Sequence, residues 1–261
     1  MVAERRVPEN REQMSWLRRE LYEMELLFRN IPSSLMALFV VSIITMNLLA
    51  NKSIDLPVTW LALDCGIIVS WISFLSMDII TKHFGPKAAT EASAAAVCVN
   101  LLACLFFFVA SKLPGMWGEA YVDGSEAMLN RALDGTFGGT WYVLFGSTTA
   151  FILSAVVNNF LNAAIGGLMK TNPDGFFAYA CRTYISTAVG QFTDNLVFAL
   201  IVSHFFFGWS LTQCVTCAVT GMVVELLCEV LFSRLGFAIC ARWKRDNVGG
   251  AYLDYIREKK K

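Results

Sequence analysis

The chain has 261 residues, of which 56% are hydrophobic and 16% are charged, and its mean hydropathy is +0.54. The charged fraction is well below the roughly 25% usual in soluble domains, so the composition argues against a soluble protein. The 21 basic and 21 acidic residues cancel, which argues against a nucleic-acid partner, because such a partner requires a basic excess.

The first element predicted along the chain is an amphipathic helix within residues 10–30. Its apolar side chains fall largely on a 3.5-residue repeat, which is typical of a helix with one apolar face. Such a helix can dimerise, lie on lipid or pack against the inner face of a membrane domain, and the sequence favours none of the three. The repeat consists of Met14, Trp16, Leu17, Leu21, Met24 and Phe28.

Six later segments are long and apolar enough to cross a bilayer, which takes about 20 residues. We therefore expect an all-α fold, a polytopic membrane helix bundle of about six transmembrane helices behind an amphipathic cytoplasmic helix. The expected division is a cytoplasmic segment at 1–30, a six-helix membrane domain at 31–241 and a basic cytoplasmic tail at 242–261. The spans are predicted at 31–51, 57–81, 87–111, 141–168, 180–207 and 210–240.

Lysine and arginine are unequally divided between the two ends of these spans. Sixteen lie on the side of the chain termini and three on the opposite side. Because cytoplasmic loops carry an excess of these residues, we expect both termini in the cytoplasm of a multi-pass cell-membrane protein. The acidic, glycine-rich segment 112–140 then lies outside, where we expect mainly a solvated loop, with contact to the interface through Trp117 as the alternative.

The cysteines and histidines do not form a pattern typical of metal or disulfide sites. All eight cysteines lie in or beside apolar runs, as expected for small apolar residues in membrane helices, and the CxxC of Cys214 and Cys217 has no second pair. His83 and His204 are predicted at opposite ends of the bundle. With no hydrolase or ATPase motif either, we expect no metal, no cofactor and no enzymatic activity.

Ionisable residues inside the spans are the strongest candidates for function, because a charge in hydrocarbon costs at least about 2.5–3.5 kcal/mol. Asp194 lies about ten residues from either end of its span, on one helical stripe with Gln191. Arg182 is about 18 Å away along the same helix, too far to pair with it. Glu225 and Glu229 are four residues apart, so at least one is expected to be protonated or paired. Other polar residues of the spans are Asp64, Asp78, Glu91, Asn47, Asn51, Asn158, Asn159, Asn162 and Asn195.

Structural explanations stay open beside the functional ones. Asp194 can belong to a buried ion pair, with Lys82 as a partner, and Glu225 can bond to neighbouring helices. Asp78 and Glu91 lie near helix ends, where they can simply cap or anchor their helices.

Three motifs resemble one known family. Arg182, Ser186, Gln191, Asp194 and Phe198 match the R…S…Q..D…F pattern of the VUT family, the queuosine-precursor transporters once called vitamin uptake transporters. The segment from Asn47 through Asn51 to Lys52, and that from Asp78 to Phe84 and Gly85, resemble two further motifs of this family. The resemblance covers about 30–240.

The chain departs from the family pattern in the charges of the spans. Lys82 stands where many members have an acid, Asn158 or Asn159 where an aspartate is expected, and Glu225 about where a lysine is usual. The fourth predicted span also lacks an expected arginine. These changes bear on the substrate more than on the fold.

The resemblance implies a membrane transporter that imports a queuosine precursor or a related 7-deazaguanine by ion- or proton-coupled alternating access. Its partners would be this small molecule, the lipid bilayer and, as one option, a second copy in a homodimer. The alternatives are a substrate-capturing subunit of an energised vitamin importer and a non-transporting membrane scaffold. The candidate substrate-binding residues are Asp194, Gln191, Asn195, Asn47, Asn51, Asp78, Arg182, Glu225 and Phe198.

Overall fold

The computed structural model describes residues 15–54, 56–118, 126–168 and 176–259. These residues form an all-α helical bundle, as predicted, with one small antiparallel sheet of strands β1 (Ser53–Ile54) and β2 (Leu63–Asp64). A π-helix, Ala199–His204, interrupts the helical stretch that begins with α6. The helices are α1 (Trp16–Asn30), α2 (Ser33–Leu49), α3 (Ile67–Phe84), α4 (Pro86–Ala110), α5 (Glu126–Leu168), α6 (Phe176–Phe198), α7 (Phe205–Phe207), α8 (Leu211–Arg245) and α9 (Gly250–Lys259).

Several helices meet the requirements for crossing a bilayer. Among the described residues, four segments are long and apolar enough to do so: Ile67–Phe84, Pro86–Ala110, Thr187–Phe207 and Leu211–Phe232. The bent pair of α1 and α2 would make a fifth. Length and composition of the described helices therefore give four or five spans, against the six predicted. Large apolar side chains point outward from these helices, as expected for lipid contact; on α4 they include Leu101, Leu105, Phe106 and Val109.

The predicted helix at 57–81 is wrong in its first ten residues. The chain instead forms the β1–β2 hairpin, in which Ser53 pairs with Asp64, and α3 begins only at Ile67. The Asp64 carboxylate accepts the backbone N–H of Gly66 at 2.7 Å. This bond favours a turn at 64–66, and the hydropathy of the stretch cannot reveal it because apolar hairpins and apolar helices have similar composition.

The predicted loop at 112–140 is wrong in its second half, because α5 begins at Glu126. The backbone N–H of Trp117 bonds to Asn130 Oδ1 at 3.0 Å, and its indole Nε1 donates to Asp134 Oδ1 at 2.8 Å. Its ring stacks on Phe137 with centroids 4.8 Å apart. Asn130, Asp134 and Phe137 lie on one helical face, so contact with Trp117 stabilises a helix that its polar sequence conceals.

Helices α1 and α9 pack together on the first turn of α4. The Glu23 carboxylate is fully buried and accepts bonds from Lys87 Nζ at 2.7 Å and Lys259 Nζ at 2.6 Å. Lys87 also donates to Glu20 at 2.6 Å, and this bond lowers the pKa of Glu20. We call this group, Glu20, Glu23, Lys87 and Lys259, the terminal clasp. It holds α1, α4 and α9 together, so both terminal helices lie at the same end of the bundle.

An apolar cluster underlies the terminal clasp. Leu27 of α1 and Tyr252 of α9 are buried together with Ile80 and Phe84 of α3. Burial, with the nearby carboxylates of Glu91 and Glu23, raises the pKa of Tyr252 to about 12. Its hydroxyl is therefore uncharged at physiological pH, as a buried position requires.

Replacing Gly249 by alanine is expected to lower stability by about 1–3 kcal/mol. Gly249 has φ +72°, a left-handed conformation unfavourable for alanine, and a Cβ there would collide with the Phe84 ring. Thermal unfolding of the purified variant should show the loss. Gly118→Ala, where the added Cβ meets nothing, is the control, and equal melting temperatures for both variants would contradict the strained turn.

Candidate functional site

The candidate site is built around a contact between α6 and α8. Asn195 Nδ2 donates to Glu225 Oε2 at 3.0 Å and lies equally far from the carbonyl oxygen of Gln191. Glu225 is buried, with only 6% of its surface exposed. Gly221, one turn before Glu225, makes the close approach feasible, since a Cβ there would lie 2.9 Å from the Asn195 side chain.

Two further carboxylates approach Glu225 from neighbouring elements. Asp194 on α6 and Asp64 at the end of β2 both interact electrostatically with it. The Ser154 hydroxyl of α5 lies 3.0 Å from Asp194 Oδ1 and donates to it. Three helices and the hairpin therefore contribute to one acidic group inside the predicted membrane region.

This acidic group has no counter-charge within the described side chains. No lysine or arginine among them forms an ion pair with Asp64, Asp194 or Glu225. Interacting carboxylates in apolar surroundings resist ionisation, because each negative charge disfavours the others and burial disfavours all. A proton or a cation on this group would relieve that cost. In the described part of the chain, no three His, Cys, Asp or Glu residues lie close enough to share a metal ion.

Two buried side-chain polar atoms, one on α6 and one on α2, lack a hydrogen-bond partner among the described residues. They are Gln191 Oε1, one turn before Asn195, and Asn47 Nδ2. Leaving such an atom unsatisfied costs about 1–3 kcal/mol. Gln191 therefore offers a buried acceptor to a ligand bound near Glu225.

Of the residues predicted from sequence, four come together here. Asp194, Gln191, Asn195 and Glu225 share one region of α6 and α8. The side chains of Arg182 and Glu229 lie outside the described residues, as do those of Asn158, Asn159 and Asn162.

The remaining predicted residues lie elsewhere in the bundle. Asn51 lies just beyond α2, where its Oδ1 accepts the Tyr142 hydroxyl at 3.3 Å, and Phe198 packs on an apolar cluster that contains Ala50 and Val202. Asp78 lies further along α3, beside Lys82 and away from Glu225.

Sequence reasoning missed two contributors, Ser154 and Gly221. Ser154 donates to Asp194 across two helices, and Gly221 leaves the space for the Asn195 side chain. Neither residue had a signal in the sequence, because both roles arise from neighbours distant in the chain.

The comparison with protein families decides what kind of protein carries this site. The family model described as "Putative vitamin uptake transporter" matches residues 64–239, about two thirds of the chain. The chain belongs to this family. Neither a curated protein nor a solved structure matches it. This VUT family member is thus a multi-pass membrane protein of a transporter family, and the matched region includes all the acidic residues of the site, from Asp64 to Glu225.

Proposed function

We propose that this VUT family member imports a queuosine precursor or a related 7-deazaguanine by proton-coupled alternating access. The observation that supports it most is the buried Glu225 carboxylate, held by Asn195 beside Asp194 where α6 and α8 meet. Buried acids in a transporter span are typical of substrate and proton pathways.

The chemistry of a 7-deazaguanine suits such a carboxylate. The guanine edge presents a ring N–H and an exocyclic NH2 side by side. An ionised carboxylate accepts from both at once, much as it does from an arginine fork. Asp194 or Glu225 supplies this acceptor, and Gln191 Oε1 accepts from a ring N–H on the remaining edge.

The crowding of carboxylates supports coupling to protons. One acid must be ionised to accept the guanine edge, and the others then become harder to ionise. Binding of substrate to one carboxylate therefore favours a proton on another, so substrate and proton can move together. Rocking of helix groups around this fixed site would open it to each side in turn.

A thermal-shift series on the purified protein tests the substrate class. We expect 7-deazaguanine and queuine to stabilise the protein. We expect 7-deazahypoxanthine, which lacks the 2-amino donor, to need roughly 10- to 100-fold higher concentration for the same shift, the effect of about 1–3 kcal/mol. Equal shifts from both compounds would contradict carboxylate recognition of the guanine edge, and stabilisation by a vitamin alone would contradict the substrate class.

Gly221→Ala is expected to weaken substrate binding severalfold without loss of folded protein. The new Cβ would displace the Asn195 side chain from Glu225, leaving the carboxylate without its amide donor. The matched control is Gly135→Ala on α5, where a Cβ meets no neighbour. Ligand titrations of both variants give the comparison; unchanged affinity in Gly221→Ala would remove the Asn195–Glu225 contact from the site.

A further inference from the structure

Helix α1 has three distinct faces. One is buried in the bundle, where the terminal clasp holds Glu23 and where Leu27 lies in the apolar cluster. On another face, Arg18, Glu25 and Arg29 project into solvent. These two faces account for only part of the helix circumference.

The third face is an apolar stripe that the described chain leaves largely uncovered. Leu17 is 59% exposed, Leu21 51% and Met24 37%, and half-buried Phe28 continues the row. Their spacing of three and four residues aligns them along the helix.

The junction between α1 and α2 sets the direction of the stripe relative to the bilayer. The two helices meet at 101°, with only Ile31 and Pro32 between them. A helix that continues from α2 at nearly a right angle lies along the membrane surface when α2 runs through the membrane. With α2 crossing the membrane, the bilayer interface would lie at the junction of α1 and α2.

We propose that the Leu17–Leu21–Met24–Phe28 stripe of α1 is seated in the lipid interface, with the terminal clasp fixing the rotation of the helix. Amphipathic helices bind the interface by an apolar face rimmed with cationic side chains, and Arg18 and Arg29 lie beside the stripe together with Glu25, which pairs with Arg29. These three residues leave a net positive charge that complements lipid phosphates, which favours lipid over a second copy of the chain as the occupant.

An environment-sensitive fluorescent amino acid, introduced by stop-codon suppression at position 21 of the full chain, tests this surface. The same residue at position 25, on the solvent face, is the matched control. In nanodiscs that hold one chain each, we expect blue-shifted emission at position 21, strongly quenched by brominated lipids, and water-like, unquenched emission at position 25. Position 17 serves as a second probe if the variant at 21 does not fold.

Three results would overturn the proposal. Water-like emission at both positions would show that the stripe is not in lipid. Blue-shifted emission at 21 that brominated lipids do not quench in one-chain discs would show that the chain itself covers the stripe. A blue shift that appears only with two chains per disc would assign the stripe to a second copy. Neither reading uses substrate, so the outcome is independent of the proposed transport function.

Discussion

Replacing Glu225 by glutamine is expected to reduce uptake of a 7-deazaguanine by 100-fold or more, while the protein still inserts and folds. Glutamine keeps the size of the side chain and can bond to Asn195, but it cannot ionise or exchange a proton. Losing a charge-assisted acceptor costs about 1.5–3 kcal/mol, and losing the proton site would stop coupled turnover altogether. Uptake of labelled substrate by cells that express the variant, normalised to membrane-inserted protein, measures the effect.

Asp194 belongs to the same prediction, because it lies beside Glu225 and is bonded by Ser154. We expect Asp194→Ala to abolish uptake, with Asp194→Asn close to it. The matched control is Asp254→Asn on α9, whose exposed carboxylate pairs with nearby Arg257. Unchanged uptake in Asp194→Ala would remove that residue from the site, and equal losses in Asp254→Asn would point to a general effect on the protein.

The second large effect is expected at the terminal clasp. Glu23 is fully buried and accepts bonds from both Lys87 and Lys259. In Glu23→Gln the amide NH2 would face an ammonium group, so one lysine would lose its bond to residue 23 and keep only its pairing with Glu20. Removing one partner of a buried ion pair costs up to about 3–5 kcal/mol of stability. Because both lysines are partly exposed, we expect a smaller loss, about 1–3 kcal/mol.

Hydrogen exchange of the purified protein measures this loss locally. We expect faster exchange in α1 and α9 of Glu23→Gln, and little change in α6 or α8. Glu25→Gln, whose exposed carboxylate pairs with Arg29 on the same helix, should behave like the unchanged protein. Protection of α1 and α9 that persists in Glu23→Gln would show that apolar packing alone joins the two ends.

The sequence predicts best those helices whose ends are marked by residues at the ends themselves. Helix α4 was expected at 87–111 and spans Pro86–Ala110, because Gly85 and Pro86 mark its start and an apolar run fills it. The stretch 57–66 and the first turns of α5 were misjudged, since their structures depend on Asp64 turning back onto Gly66 and on Trp117 packing against Phe137. Such contacts cannot be inferred from the amino-acid composition of the segment.

The residues of the site also divide into those that the sequence indicates and those whose role depends on packing. Asp194 and Glu225 could be found from sequence, because an acid deep in an apolar helix is costly wherever it lies. That the two are neighbours, and that Asp64 joins them, follows from how α3, α6 and α8 pack. Gly221 has no signature of its own, since its importance is the space that it leaves for Asn195.

Uptake by proteoliposomes that contain only the purified chain is the most direct test of the central claim, that this acidic site carries a 7-deazaguanine together with a proton. With the lumen alkaline and the outside acidic, we expect labelled 7-deazaguanine to accumulate, the gradient to stimulate it, and Glu225→Gln to abolish it. Substrate that binds but is never taken up by the chain alone, and that enters only when an ATPase module is added, would contradict the claim and identify a substrate-capturing subunit instead.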